Sequence, residues 1–277
     1  MVLDGFNSML VNGVPGNVIS IRDRGLLYGD GVFRTLRASS GKPLHWPLHF
    51  QKLRRDCETL DIRCPDFAVL TAELSGLLAT HPDAVFKIIV TRGLTARGYA
   101  PPSDTEPTHI WDIAPLPEYS QNWTKLGVKL HLCRLRLGHQ PRLAGIKHLN
   151  RLENVLAAAE LAGIDAAEGL LLDQDGLVIE GTRSNIFIVS DGKLITPDLS
   201  RCGVAGVQRD LVIARAGRLG LKVEVRDVEL NELTAADALF LSNSVFGLWP
   251  VAQFGQRSWS NFEFASQMRA ALETAGD

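Results

Sequence analysis

The sequence contains few cysteines and little net charge. Its four cysteines, Cys57, Cys64, Cys133 and Cys202, form no Cys-x-x-Cys pair and show none of the histidine spacing of a structural zinc site. We therefore expect reduced, partly buried thiols and no metal requirement. A formal net charge of −2 at pH 7 provides no general electrostatic attraction to nucleic acid or to anionic lipid.

Long apolar runs are also absent, as are the common catalytic motifs. No run is long enough to cross a bilayer, and residues 1–5 lack the basic and apolar character of a secretory signal. We expect a cytoplasmic protein that binds neither membranes nor nucleic acid. The P-loop and the HExxH, GxSxG and GxGxxG patterns are all missing, which removes support from most common enzyme classes.

The chain nevertheless has the composition of a globular protein, with 277 residues of which 45% are hydrophobic. Apolar and turn residues predict alternating strands and helices. The predicted strands cover residues 9–11, 18–21, 31–36, 84–91, 108–114 and 128–137, with several more between 169 and 195. The predicted helices cover residues 46–60, 66–80, 150–162, 207–219 and 261–274, with Phe67, Leu70, Leu74 and Leu77 inward in the second of them.

This alternation predicts an α+β protein of two domains. Polar and proline residues break every pattern around residues 115–122, which is typical of a linker. We expect an N-terminal α+β domain over residues 1–116, a linker over 117–124 and a C-terminal α/β domain over 125–277.

Three features carry chemistry, although each also has a structural reading. Lys147 lies between a strand and a helix, where an apolar environment would favour Schiff-base chemistry, although on spacing alone a solvated loop lysine is the more common case. Glu180 ends an apolar strand, where a buried carboxylate needs a cationic or protonated partner, although in isolation an exposed turn glutamate is the more common case. The helix after Gly206 offers free N–H groups to a phosphate, as many glycine-preceded helices do.

These features occur together, in the segments LAGIKHLNRLEN around Lys147, IEGTRSNIF around Glu180 and Gly203-x-x-Gly206. With the run DRGLLYGDGVF at residues 23–33, they resemble the fold type IV pyridoxal phosphate enzymes, the branched-chain and D-amino-acid aminotransferase-like family. The resemblance extends from about residue 12 to residue 250. It implies a two-domain α+β fold, a homodimer and the cofactor pyridoxal 5′-phosphate.

The resemblance also implies roles for individual residues. Lys147 matches the lysine that binds the cofactor aldehyde, and Glu180 matches the carboxylate that faces the pyridine nitrogen. The phosphate would be held by the backbone of Val207 and Gln208 and by the Ser244 hydroxyl. Lys52 stands where the family usually has arginine, so it keeps the positive charge and loses the bidentate geometry. A surface role for Lys52 also remains open.

Within the family, the Lys147 segment and Arg97-Gly98-Tyr99 are most similar to the 4-amino-4-deoxychorismate lyases. This implies a lyase that forms 4-aminobenzoate and pyruvate from aminodeoxychorismate in folate biosynthesis. Arg97, Arg34 and Asn243 would bind the dicarboxylate substrate, although an outward-facing structural role for Arg34 is an equal alternative. Two other functions remain open at this point, a D-amino-acid or branched-chain aminotransferase and a catalytically silent binding protein of the same fold.

Overall fold

A computed structural model of the chain describes residues 9–95, 97–101 and 104–273. The described chain divides into two compact units. The first comprises the described residues up to Pro117 together with Ile146–Asn150, and the second comprises Glu118–Gly145 and the residues from Arg151 onward. The linker predicted at 117–124 adjoins this division and includes the start of a short helix.

The first unit is an antiparallel sheet covered by two long helices. The strands are β1 (Leu10–Val11), β2 (Val14–Pro15), β3 (Gly31–Ser39), β4 (Lys42–Pro43), β5 (Ala84–Thr91) and β6 (Thr108–Pro115), in the order β2-β1-β6-β5-β3-β4. The helices are α1 (Arg24–Tyr28), α2 (Trp46–Thr59) and α3 (Phe67–Thr80). The β1–β2 hairpin turns at Asn12-Gly13, which have φ of 51° and 76°, the conformation that this residue pair favours.

The core of the first unit lies between β3, β5 and the two helices. Trp46, Phe50, Leu53 and Cys57 of α2 are buried, as their spacing predicts. Two expectations from the sequence are wrong. Phe67, at the start of α3, is 41% exposed and covers the edge of the core, where it stacks on Trp46. Residues 18–21 form no strand, because their apolar side chains point to solvent, with Val18 78% exposed.

The second unit contains a larger mixed sheet. Its strands are β7 (Val128–Leu137), β8 (Glu168–Asp173), β9 (Val178–Gly181), β10 (Asn185–Ser190), β11 (Lys193–Pro197), β12 (Lys222–Arg226), β13 (Ala238–Asn243), β14 (Gly247–Phe254) and β15 (Arg257–Ser258). The order is β12-β11-β10-β13-β14-β7-β8-β9, and β15 pairs with β14. The pairs β11–β12, β14–β7 and β7–β8 are parallel.

The helices that accompany this sheet in the described residues are α4 (Gln121–Leu126), α5 (Leu152–Ala159), α6 (Val207–Arg218), α7 (Leu230–Ala235) and α8 (Glu263–Glu273). One apolar cluster contains Phe187 and Phe240 of the sheet, Val212 of α6 and Met268 of α8. A second cluster includes Trp249. The strands β8 to β10 are buried almost throughout, so polar side chains within them require specific partners.

The architecture is α+β, as predicted. All four cysteines are free thiols, again as predicted. Within the described residues, no helix combines the length and the apolarity that a bilayer span requires.

Candidate active site

The segment that carries Lys147 is fixed to β3 by main-chain hydrogen bonds. The Phe33 N–H donates to the Lys147 carbonyl, and the Leu149 N–H donates to the Gly31 carbonyl, each at 2.9 Å. Gly31 permits this approach, because a Cβ there would lie 2.8 Å from Leu149 Cδ1 and 2.6 Å from the Val90 carbonyl oxygen. The backbone of Lys147 therefore has a defined position in the first unit.

The side chain of Lys147 lies over an aromatic ring. Its Nζ is 4.7 Å from the centroid of the Phe33 ring, and the Nζ of Lys87 is 5.1 Å from the same centroid. Both lysines are half-buried. The Lys87 amine therefore lies beside the Lys147 amine at one ring, where its positive charge suits an anionic substrate. The sequence analysis did not single out Lys87.

Arg34 and Asp56 form a buried ion pair. Each residue is 2% exposed. Oδ2 of Asp56 accepts from the Arg34 guanidinium and also from the backbone N–H of Lys147 at 3.1 Å. Burial raises the pKa of Asp56 above its usual value, against the opposing effects of Arg34, the Lys147 amide and Lys52.

His49 is buried beside this pair. Burial lowers its pKa to about 3, and the positive charges of Arg34, His45 and Lys147 act in the same direction. The imidazole is therefore neutral at physiological pH. Its Nδ1 makes no hydrogen bond within the part of the chain that the structure describes.

Lys52 and Arg97 have different surroundings. Lys52 is half-buried on α2, one turn before Asp56, and its charge lowers the pKa of that carboxyl. Arg97 is exposed in a loop that Arg24 holds by donating to the carbonyls of Gly98 and Tyr99 at 2.9 and 2.8 Å. The roles predicted for Lys52 and Arg97 in cofactor and substrate binding remain predictions.

Glu180 lies in β9 of the second unit and is 4% exposed, so the reading as an exposed turn glutamate is wrong. Its Oε2 accepts from the Val204 N–H at 2.9 Å. Gly203 has a φ of +85°, and a Cβ there would lie 2.7 Å from Ile179 Cγ2. A glycine is needed at this position because the loop passes so close to β9.

The loop after Gly203 ends in the N-terminus of α6. Gly206 is the N-cap and has no side chain to cap the helix. The Asn185 amide bridges the loop, since Oδ1 accepts from the Gly206 N–H at 3.2 Å and Nδ2 donates to the Val204 carbonyl at 2.8 Å. The first N–H groups of α6, at Val207 and Gln208, lie at the positive end of the helix dipole and can bind a phosphate.

Asn243 organises the turn that carries Ser244. Its Oδ1 accepts from the N–H groups of Val245 and Phe246 at 2.9 and 2.8 Å, and its Nδ2 donates to the Arg183 carbonyl at 3.2 Å. Ser244 is half-buried in that turn. The substrate contact predicted for Asn243 remains a prediction, since these bonds show a structural role.

A buried carboxylate that the sequence analysis missed holds the segment between Glu180 and Asn185. Glu168 is 0% exposed. Its Oε1 accepts from the N–H groups of Gly169 and Thr182 at 3.0 and 3.1 Å and from the Thr182 hydroxyl, while its Oε2 accepts from the Ser184 hydroxyl at 3.0 Å. These bonds fix the turn that follows Glu180.

A separate polar cluster in the second unit contains His139, Asp173 and Cys202, whose potential ligand atoms lie within 4.8 Å of one another. Oδ1 of Asp173 accepts from the N–H groups of Asp175 and Leu177, and Oδ2 is 2.9 Å from His139 Nε2. This arrangement closes the turn at residues 173–177, a role that requires no metal.

Comparison with known proteins identifies the family. The family model described as amino-transferase class IV matches residues 31–254. An aminodeoxychorismate lyase from Vibrio harveyi is 39% identical over 243 residues, which cover 87% of this chain and 89% of that protein. The crystal structure of 4-amino-4-deoxychorismate lyase from Pseudomonas aeruginosa has a TM-score of 0.92 at 45% identity, covering 96% of this chain and 98% of that one.

Aminotransferases are similar at lower identity. A D-alanine aminotransferase from Listeria monocytogenes is 29% identical over 239 residues, which cover 84% of this chain and 81% of that protein. The match to the family model spans most of the sequence and includes both Lys147 and Glu180. The chain belongs to the amino-transferase class IV family.

Proposed function

We propose that this chain is a pyridoxal phosphate-dependent aminodeoxychorismate lyase, which converts 4-amino-4-deoxychorismate to 4-aminobenzoate and pyruvate in folate biosynthesis. The observation that carries the proposal is the similarity, over nearly the whole chain, to lyases of that name at 39% and 45% identity. The alternative is amino transfer, because aminotransferases share the family and the fold.

The residues present fit the cofactor. The N–H groups of Val207 and Gln208, at a helix start without a side-chain cap, offer the donors that its phosphate requires. Ser244 and Lys52 would add a hydroxyl and a positive charge. Glu180 is a buried carboxylate suited to a protonated ring nitrogen. Lys147 would hold the cofactor aldehyde. When bound, pyridoxal phosphate supplies an electron sink for the substrate carbon that bears the amine.

The lysine and the glutamate then have distinct tasks. Lys147 Nζ is the general base that removes the proton from the ring carbon bearing the substrate amine, which it can do because its backbone is held in place. Glu180 would keep the ring nitrogen of the cofactor protonated, since a nearby carboxylate favours the charged form of a basic group. The bond between the ring and the ether oxygen then breaks, and the enolpyruvate released takes up a proton at its methylene carbon to become pyruvate. The ring becomes aromatic, and this provides much of the driving force.

Positive charge suits the substrate. The Lys87 amine, 5.1 Å from the Phe33 ring centroid, is a cation beside the reacting Lys147, and 4-amino-4-deoxychorismate carries two carboxylates that it could bind. The exposed Arg97 remains a further candidate for a carboxylate contact.

We also propose a cytoplasmic homodimer. The family resemblance supports it, as does the apolar face of α5, where Leu152, Val155 and Leu156 are 74%, 59% and 59% exposed. Exposed apolar side chains at this helical spacing are typical of an interaction surface. Light scattering coupled to size-exclusion chromatography measures the mass. A mass of one chain at micromolar concentration would contradict this part of the proposal.

Product analysis tests the activity directly. Purified protein is incubated with enzymatically generated aminodeoxychorismate, and 4-aminobenzoate and pyruvate are measured by chromatography. We expect both products from the wild type, none from Lys147→Ala, and wild-type amounts from Lys222→Ala, which removes an exposed lysine. Absence of 4-aminobenzoate, together with amino transfer to a keto acid, would refute the lyase and support the aminotransferase.

A further inference from the structure

We infer that Asp56 and Arg34 form a positioning pair that fixes the backbone of the reacting lysine, and that Arg34 does not bind a substrate carboxylate. The inference rests on the proposed function only in taking Lys147 as the reacting lysine. It assigns a role to Asp56 and replaces the substrate contact predicted for Arg34.

The pair meets Lys147 at a single atom. Oδ2 of Asp56 accepts from the Arg34 guanidinium and from the Lys147 N–H. Asp56 lies on α2 and Arg34 on β3, so two elements of the first unit converge on a segment 91 residues farther along the chain. On its other side, the Lys147 carbonyl accepts from the Phe33 N–H. Both polar groups of the Lys147 backbone are thereby held.

The alternation of β3 separates Arg34 from the reacting amine. Val32, Arg34 and Leu36 are buried on the face of β3 that packs against α2. Phe33 and Thr35 alternate with them and so lie on the opposite face. The Nζ of Lys147 lies over the Phe33 ring. The Arg34 guanidinium therefore acts on Lys147 through Asp56, on the core side of the strand.

Electrostatics explains why the two residues occur as a pair. A carboxylate that is 2% exposed is strongly unfavourable without a cation, and a buried guanidinium is equally unfavourable alone. Arg34 therefore favours the ionised form of Asp56, which is a stronger acceptor for the Lys147 N–H than a neutral group. The ion pair serves the position of the Lys147 backbone, on the opposite face of β3 from the Phe33 ring.

Two double variants test the inference without leaving a charge buried and unpaired. Arg34→Met with Asp56→Asn removes both charges and keeps an acceptor oxygen for Lys147. Arg34→Met with Asp56→Ala removes the acceptor as well. Glu58→Gln is the matched control, because it also changes a carboxylate to an amide on α2 at a side chain that is 66% exposed.

The first measurement is hydrogen exchange of the Lys147 amide in the full-length protein, by NMR with ¹⁵N-lysine labelling and without substrate. We expect the Asp56→Ala double variant to exchange about 10- to 100-fold faster than wild type, as loss of one charge-assisted hydrogen bond predicts. We expect the Asp56→Asn double variant to exchange about three- to tenfold faster than wild type, because a neutral amide oxygen is a weaker acceptor than a carboxylate, and we expect Glu58→Gln to exchange like wild type. Equal exchange in the two double variants would overturn the inference.

The second measurement separates positioning from substrate binding. We expect the Asp56→Ala double variant to lower kcat by about tenfold or more with KM within about twofold of wild type, since a misplaced base slows chemistry without weakening binding. A tenfold rise in KM in both double variants would show instead that Arg34 binds substrate. Because exchange is read without turnover, failure of the lyase assay would refute the proposed function and leave the exchange result intact.

Discussion

Replacing Glu168 with alanine should destabilise the second unit more than most single substitutions do. The carboxylate is fully buried and accepts four hydrogen bonds, from two backbone N–H groups and from the hydroxyls of Thr182 and Ser184. The Gly169 N–H loses this acceptor, whereas the Thr182 N–H also donates to the Gly169 carbonyl at 2.9 Å. Most of the loss in the free energy of unfolding of Glu168→Ala therefore comes from three donors left without this acceptor, the Gly169 N–H and the hydroxyls of Thr182 and Ser184.

The size of the effect follows from these groups. A buried donor left without an acceptor costs about 1–3 kcal/mol, and an ordinary hydrogen bond contributes about 0.5–1.5 kcal/mol. Because removal of the carboxylate also recovers the free energy of burying its charge, we expect the free energy of unfolding to fall by about 3 kcal/mol. For a unit of this size, about 2–4 °C per kcal/mol gives a loss of roughly 6–12 °C in Tm.

Urea denaturation followed by circular dichroism measures the change. Glu118→Ala is the control, because it truncates an exposed glutamate of the same unit and should stay within about 0.5 kcal/mol of wild type. Glu168→Gln should lie between the two, since it keeps one acceptor oxygen. If Glu168→Ala unfolds at the same urea concentration as Glu118→Ala, the hydrogen bonds of Glu168 do not stabilise the unit and the reasoning fails.

Two further predictions concern the phosphate-binding loop and acid stability. In Gly206→Ala the new Cβ would lie 2.6 Å from Asn185 Oδ1 and would displace the loop before α6. We therefore expect pyridoxal phosphate to bind about tenfold more weakly, as measured by absorbance titration. Unchanged affinity would contradict the role of this loop in phosphate binding. His49 has a pKa of about 3 in the folded protein against 6.5 when unfolded, so the stability it contributes is fully present above pH 6.5 and is lost as the pH falls toward 3. Between pH 7 and pH 4.5, the free energy of unfolding measured by urea denaturation should therefore fall by about 2–3 kcal/mol less in His49→Asn than in wild type. An equal fall in the two proteins would show that His49 is not buried as a neutral imidazole.

Local pattern predicted most of the regular elements. The spacing of Trp46, Phe50, Leu53 and Cys57 identified α2, because an amphipathic helix must place its apolar residues on one face. Short elements were missed, such as α1 (Arg24–Tyr28) and α7 (Leu230–Ala235), since few residues carry too little periodicity. Residues 18–21 were misassigned because their alternation is not matched by a pairing strand.

The candidate site was predicted less completely than the fold. Lys147 and Glu180 were found through the family motifs, but Asp56 and Glu168 were not, because their side-chain partners lie 14 or more residues away in the sequence. One signal was available for Asp56. It shares the buried face of α2 with Leu53, where a charged side chain is unfavourable without an ion pair. Glu168 lies at the start of a fully buried strand and gave a comparable signal.

The segment 146–150 also affects when the first unit can finish folding. It lies along Gly31–Phe33, and the sheet order places β5 on the other side of β3, with β4 pairing only near its end. A nascent chain that has emerged only as far as Pro117 contains all the described helices and strands of the first unit but leaves this stretch of β3 uncovered. Exposed strand edges promote association between chains. The first unit therefore depends on later synthesis to close its own sheet, and a fragment ending at Pro117 should aggregate unless residues 146–150 are supplied.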